Sequence, residues 1–175
     1  MLLLLRNITL FTCLFLSLEG IAQEEKTRSL SASTITNLSF TGYQQSLCID
    51  IGINEMHHLY AGPAFSLSDA YMPWRSSYGF HSGYRAEFSL QGNWISSAGL
   101  HLQGIFGEQH RVNKTNSTWE GFLNYGFGYQ YKKLSIMNNL GFGGYIERFF
   151  NSFTNEYRVQ NGYNFMVSLQ IRYQL

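Results

Sequence analysis

The chain has 175 residues, with twelve Lys and Arg, eleven Asp and Glu, and a formal net charge of +1. This balance excludes nucleic acid as a partner, because no block of basic residues is present to neutralise phosphates. Aromatic residues make up 17% of the chain and charged residues only 13%, about half the charged share of an average globular protein.

The first 22 residues have the order of a secretory signal peptide. Arg6 supplies a positive charge, residues 8–18 form an apolar run, and Gly20 to Ala22 end in small residues before a predicted cleavage after Ala22. The run is too short for a transmembrane helix, which needs about 20 residues. Residues 23–33 are polar and are predicted to form a flexible periplasmic leader. Cleavage leaves Cys48 as the one remaining cysteine, so an internal disulfide is excluded.

The rest of the chain alternates apolar with polar or small residues, which predicts strands with one apolar and one polar face. The last segment is the clearest, since Val167, Leu169 and Ile171 alternate with Ser168 and Gln170. Eight such strands are predicted, at residues 34–42, 45–53, 57–67, 78–90, 94–107, 119–131, 134–149 and 162–175. Because proline cannot donate to a ladder, we expect a bulge or local break at Pro63.

The connections between these strands alternate in length. Short turns are predicted at 54–56, 91–93 and 132–133. Along the chain they alternate with longer polar loops at 68–77, 108–118 and 150–161. Short periplasmic turns and long outer loops are the rule in outer-membrane barrels. The turn at 91–93 also predicts that Gly83 lies opposite His101 and that Arg85 lies opposite Gly99.

Aromatic residues fall at both ends of the predicted strands, where two interfacial girdles would lie. The outer set is Tyr43, Tyr78, Trp119 and Tyr163, and the inner set is Trp94, Tyr131 and Tyr173. The alternative is that tyrosines are simply favourable strand residues.

With its signal peptide, eight alternating strands and aromatic-rich final strand, the chain resembles the small OmpX/OmpA-transmembrane-type barrels. The predicted fold is therefore all-β, an eight-stranded antiparallel up-and-down transmembrane β-barrel over residues 34–175. The resemblance implies a bacterial outer-membrane location, contact with lipid and lipopolysaccharide, and insertion by the outer-membrane assembly machinery. Leu175 stands where that pattern usually has a terminal aromatic residue. We expect a monomer.

The predicted lumen collects nearly all the charged strand residues. An eight-stranded barrel is wide enough only for side chains or one small ligand, and buried charges must pair. We therefore expect a satisfied polar plug in a protein with a structural or surface-binding role. Its predicted members are Asp50, His58, His81, Arg85, Glu87, His101, Glu120, Glu147 and Arg172.

The loop at 68–77 is the candidate binding surface. It places Tyr71, Trp74 and Arg75 outside the barrel, and these residue types are the usual anchors of interfaces. Binding or adhesion through this loop is one hypothesis. Anchoring of Trp74 at the membrane interface is the other.

Two other functional classes were weighed. A lipid A acyltransferase or deacylase, known among eight-stranded barrels, needs a serine beside a histidine. The adjacent His81 and Ser82 must point to opposite faces of a strand, and His110 near Glu108 is the other candidate, so no catalytic residue is predicted. A soluble ligand-binding barrel is the second alternative.

The histidines do not predict a metal site either. His57 and His58 point to opposite faces, and neither they nor the pair His81 and His101 match the ligand spacing of zinc. No metal and no cofactor are predicted.

Overall fold

The computed structural model describes residues 29–68, 77–109 and 114–175, and every regular element within these ranges is a strand. The strands are β1 (Ser29–Ser39), β2 (Gly42–Gly52), β3 (His57–Ser68), β4 (Ser77–Ser89), β5 (Trp94–Gln109), β6 (Lys114–Tyr131), β7 (Leu134–Asn151) and β8 (Glu156–Gln174). Each pairs with the next, and β8 pairs antiparallel with β1 to close the barrel. The predicted eight-stranded up-and-down barrel is confirmed. Within the described ranges no helix is long and apolar enough to cross a membrane.

The register agrees with the sequence pattern. Between β4 and β5, Gly83 lies opposite His101 and Arg85 opposite Gly99, as predicted. We call the end of the barrel that carries the β1–β2 and β7–β8 turns the outer end, and the opposite end, near Leu175, the inner end. The predicted short turns at 54–56, 91–93 and 132–133 all lie at the inner end.

The two faces of the barrel differ in polarity in the way that period-2 alternation requires. Phe88, Phe127, Leu169 and Ile171 are 39–46% exposed on the outside. Arg85 and Gln170 are each 4% exposed in the interior, as are many other polar side chains. Together with many other exposed apolar residues, the outside forms a continuous apolar surface far larger than a soluble monomer carries. Trp94, Trp119, Tyr131 and the other predicted girdle residues are also exposed.

Pro63 interrupts one ladder without changing its register. On the β2–β3 side, pairing stops after Ser46↔Ala64 and resumes at Ile49↔Ala61 with the same offset. The expected local break is therefore present, whereas the register shift between these strands lies at Tyr43 and Gln44. On its other side Pro63 still lies opposite Phe80 of β4.

The first strand begins earlier than predicted. β1 starts at Ser29 rather than Thr34, so residues 29–33 of the predicted leader belong to the barrel, and Gly42 belongs to β2. Ser31 lies opposite Asp50 of β2, and Ser33 lies opposite Arg172 of β8. Both serines face the interior. The segment lacks large apolar residues apart from Leu30, so its pairing on both sides, and not its hydropathy, makes it a strand.

The connections at the outer end are shorter than predicted because the strands continue beyond their predicted ends. Residues 108–109 extend β5 and 114–118 extend β6, although 108–118 was predicted to be a solvated loop. Likewise 150–151 extend β7 and 156–161 extend β8, which leaves only residues 152–155 as the turn of the predicted 150–161 loop. Ser68 and Ser77 are also strand residues. Backbone pairing therefore continues beyond the segments that show apolar alternation.

Candidate functional site

The inward side chains form three layers along the barrel, and the layer nearest the inner end is ionic. Arg85 Nη2 lies 2.9 Å from Asp50 Oδ1, and Arg85 Nε lies 2.7 Å from Glu87 Oε1. Arg172 meets the same carboxylate, with Nη1 2.7 Å from Oε1 and Nη2 2.8 Å from Oε2. Two guanidinium groups therefore balance two carboxylates in an interior where an unpaired charge would be costly. His58 Nε2 lies 3.6 Å from Glu87 Oε2 at the margin of this layer.

Neutral side chains complete the ionic layer. Ser33 donates its hydroxyl to Asp50 Oδ2 at 2.7 Å, and Arg85 Nη1 donates to Gln170 Oε1 at 2.6 Å. Arg172 Nε donates to Ser135 at 3.1 Å. With His58, the cluster joins six strands across the lumen, and its many contacts hold the charged side chains in fixed positions.

The middle layer is an imidazole pair between aromatic side chains, with Asn37 and Gln103 of the outer layer 3.4 Å from His101 Nε2. His81 Nε2 and His101 Nδ1 are 2.9 Å apart, so one ring nitrogen donates to the other. Tyr60 meets the His81 ring edge-on, and Phe122 meets the His101 ring in the same way. Cys48 Sγ lies 4.0 Å from His81 Nδ1. Both histidines are almost completely buried, and their layer separates the ionic layer from the outer half of the lumen.

The outer layer consists of amides and hydroxyls around one carboxylate. Glu120 Oε1 accepts hydrogen bonds from Thr41 Oγ1 at 2.7 Å and Asn164 Nδ2 at 2.5 Å, and Oε2 accepts from Gln44 Nε2 at 3.4 Å. Gln103 donates to Gln44 in turn. These bonds tie the β1–β2 turn to β6 and β8 across the outer mouth.

The outer layer also contains a small polar cavity. Its lining includes Gln44, Ser77, Asn116 and Thr118, and its volume of about 20 Å³ is enough for a water molecule.

The nine predicted lumen residues separate into distinct groups. Asp50, His58, Arg85, Glu87 and Arg172 form the ionic layer, His81 and His101 form the middle pair, and Glu120 lies in the outer layer. Glu147 is half-buried on the inward side of β7, opposite Thr118 near the outer end, and Gln160 donates to its Oε2 at 2.6 Å. The neutral partners of these residues also lie on the inward faces of their strands, but they were not predicted as members of the polar cluster. They are Ser33, Asn37, Gln44, Gln103, Asn164 and Gln170.

The fold has counterparts among solved structures. The N-terminal β-barrel domain of Pseudomonas aeruginosa OprF superposes with a TM-score of 0.56 at 10% identity, covering 84% of this chain and 97% of that domain. Neisserial surface protein A, NspA, gives 0.51 at 11% identity, covering 85% and 96%. No family model and no curated protein sequence matches the chain.

The chain has the fold of an eight-stranded outer-membrane β-barrel. At these identities the likeness concerns the fold, and the apolar exterior around a polar lumen is the property that a barrel needs in order to span lipid.

The barrel brings the metal candidates His81 and His101 into contact with each other, but it does not bring the catalytic candidates His81 and Ser82 together. His81 points into the lumen and bonds to His101, whereas Ser82 is on the other parity of β4. Within residues 29–68, 77–109 and 114–175, no group of three or more His, Cys, Asp or Glu is placed to hold a metal ion. The loop candidates Tyr71, Trp74 and Arg75, and also His110, lie outside the described residues.

Proposed function

We propose that this protein is a monomeric, non-enzymatic barrel of the bacterial outer membrane, surrounded by lipid and lipopolysaccharide, that conducts no ions and acts through its outer surface. The observation that supports this is the packing of the lumen. Salt bridges, an imidazole pair and an amide layer succeed one another from the inner to the outer end. Eight strands enclose only enough space for such side chains.

The ionic layer makes the plug rigid as well as full. Moving Arg85 or Arg172 out of the way would leave Asp50 and Glu87 as buried carboxylates without a cation, which is strongly unfavourable. The plug therefore resists opening by thermal motion. A closed lumen leaves the outer surface as the part of the molecule that meets other molecules, which supports the surface-binding role.

The proposal is tested by conductance. The purified, refolded protein in a planar lipid bilayer under concentrated KCl is expected to give no discrete conductance steps, because no continuous water path crosses the three layers. A general-diffusion porin inserted from the same detergent serves as the positive control. Reproducible steps from the wild-type protein would contradict the proposal.

A further inference from the structure

A thiol and an imidazole from strands that are not neighbours meet in the middle layer of the lumen. Cys48 belongs to β2 and His81 to β4, with β3 between them. At this level β3 contributes Gly62, which lies opposite His81. The backbones of β2 and β3 are so close here that a Cβ atom at Gly62 would lie 2.8 Å from Cys48 Cα. Because glycine carries no side chain, no side chain at this position of β3 separates the thiol from the imidazole.

Both groups are shielded from water. Cys48 is 3% exposed and His81 is 0% exposed. Tyr60 meets the His81 ring edge-on, and it forms one buried apolar cluster with Cys48 and Ile35. Cys48 Sγ lies 4.0 Å from His81 Nδ1. The sulfur therefore faces a ring nitrogen at a place where water does not compete for either of them.

The second histidine allows His81 to present a lone pair to the sulfur. His81 Nε2 lies 2.9 Å from His101 Nδ1, and when Nε2 carries the proton and donates it, Nδ1 is left as an acceptor. The proton of His101 is then on Nε2, which lies 3.4 Å from the amide oxygen of Gln103. A metal-binding imidazole usually donates its other N–H in this way, which fixes its tautomer and the orientation of its ring.

The two distances along this chain of contacts suit different occupants. With bonds of about 2.3 Å to sulfur and about 2.0 Å to nitrogen, a cation would hold the two atoms roughly 3.5 Å apart at a tetrahedral angle and roughly 4.3 Å apart on a straight line. The 4.0 Å between Cys48 Sγ and His81 Nδ1 is nearer to the straight arrangement. Two nitrogens on one cation would be roughly 3.3–4.0 Å apart, so the 2.9 Å between His81 and His101 leaves room for a proton alone.

The charge of the middle layer favours a monovalent cation. The thiolate is the form of cysteine that binds metals, so the cation takes the place of the thiol proton, which leaves to solvent. A monovalent cation then leaves the net charge of the layer unchanged, whereas a divalent cation would add a buried charge without a partner. Asp50, two residues from Cys48 on the same face of β2, is already paired with Arg85 and is not free to balance that charge.

We infer that Cys48 and His81 form a two-coordinate site for a soft monovalent cation, with copper(I) as the cation that suits these ligands. Soft thiolate ligands select copper(I), and a cation of this kind accepts two ligands on a nearly straight line. His101 is a positioning residue that acts through His81. Structural zinc sites need four ligands, and the described ranges hold no group of three or more metal-binding side chains. The site goes beyond the proposed function and does not depend on it.

The test measures copper(I) binding by the full-length protein refolded in detergent, in a Cys13→Ser background that leaves Cys48 as the only thiol. Copper(I) is supplied without oxygen from its complex with a coloured chelator, both during refolding and afterwards, so that burial of the site does not prevent loading. The protein should take one copper(I) per chain from the chelator by at least one of these routes. Native mass spectrometry should show the added mass of one copper less one proton, and zinc at the same concentration should not be retained.

Variants distinguish the two ligands from the positioning residue. Cys48→Ser and His81→Gln should each lose the bound copper(I), whereas His57→Gln, which changes a histidine on the outside of β3, should bind it like the parent protein. His101→Leu should weaken binding by about ten-fold. His101→Gln retains an acceptor for His81 Nε2–H and should restore most of the affinity. Heat-modifiable migration on gels checks that each variant is folded.

X-ray absorption at the copper edge needs no variant and therefore decides the question even if a substitution prevents folding. The spectrum of the loaded protein should show one sulfur and one nitrogen neighbour on an almost straight line. No uptake of copper(I) by either route would overturn the inference. Uptake that persists in folded Cys48→Ser, a spectrum without a sulfur neighbour, or zinc retained as well as copper(I) would overturn it too.

Discussion

Replacing Arg85 with alanine is expected to lower the free energy of unfolding by about 3–5 kcal/mol, because it removes one partner of a buried ion-pair cluster. The guanidinium meets both Asp50 and Glu87. Glu87 retains Arg172, but Asp50 is completely buried and would keep only neutral hydrogen-bond partners. The measurement is urea unfolding of the protein in lipid vesicles, followed by gel migration and tryptophan fluorescence.

Two variants provide the controls for this prediction. Arg158→Ala removes the same side chain from the exposed outer hairpin and should change stability by no more than about 0.5 kcal/mol. The double variant Arg85→Met with Asp50→Leu should be less destabilised than Arg85→Ala, because it leaves no buried charge without a partner. Equal stability of Arg85→Ala and Arg158→Ala would contradict the ionic layer.

Replacing Leu123 with arginine is expected to lower the free energy of unfolding by about 2–4 kcal/mol, the cost of arginine near the bilayer midplane. Leu123 lies between Leu100 and Phe142 on the outside of the barrel and is 68% exposed. If the outside of the barrel faced water, replacing so exposed a residue with arginine would hardly change the free energy of unfolding. In a lipid bilayer the arginine side chain must either remain in the hydrocarbon or extend to the membrane interface, and both lower the stability of the folded barrel.

Val159 provides a matched control because it is 66% exposed, almost the same as Leu123, but lies on β8 above the membrane. Val159→Arg should leave the unfolding free energy within about 0.5 kcal/mol of wild type. The two variants are compared by the same urea titration in vesicles. Equal destabilisation of the two variants would contradict the assignment of Leu123 to the hydrocarbon and of Val159 to water.

The strand pattern was predictable where lipid imposes it. From Trp119 to Tyr131 and along residues 162–174, one face must be apolar, so the alternation in the sequence marks the strand and its register. Residues 114–118 and 156–161 show little apolar alternation, and residues 29–33 carry few large apolar side chains. These segments are strands because of backbone pairing with neighbours, which hydropathy does not reveal.

The sequence predicts which side chains face the lumen but not which of them contact one another. Period-2 alternation predicted that His81, Arg85 and His101 face inward, and the turn at 91–93 predicted which residues of β4 and β5 lie opposite each other. The pairing of Arg172 with Glu87 joins residues 85 positions apart, and it depends on the closure of the barrel and the stagger of its strands. Glu147 faces inward as predicted but bonds to Gln160 in the outer hairpin, because period-2 alternation does not predict where along the barrel axis an inward side chain lies. Asn138 is exposed among lipid-facing residues, and nothing in the structure explains it.

The most direct test of a barrel with hydrocarbon outside and polar side chains inside is a collision measurement with nitroxide spin labels. Labels are placed singly at Leu123, Leu140, Val167, Leu169 and Val159 in a Cys48→Ala background, in lipid vesicles. The labels at the first four positions should collide more with oxygen, which concentrates in hydrocarbon, and the label at Val159 more with a water-soluble nickel complex. Preferential collision of the Leu123 and Leu169 labels with nickel would contradict the membrane assignment.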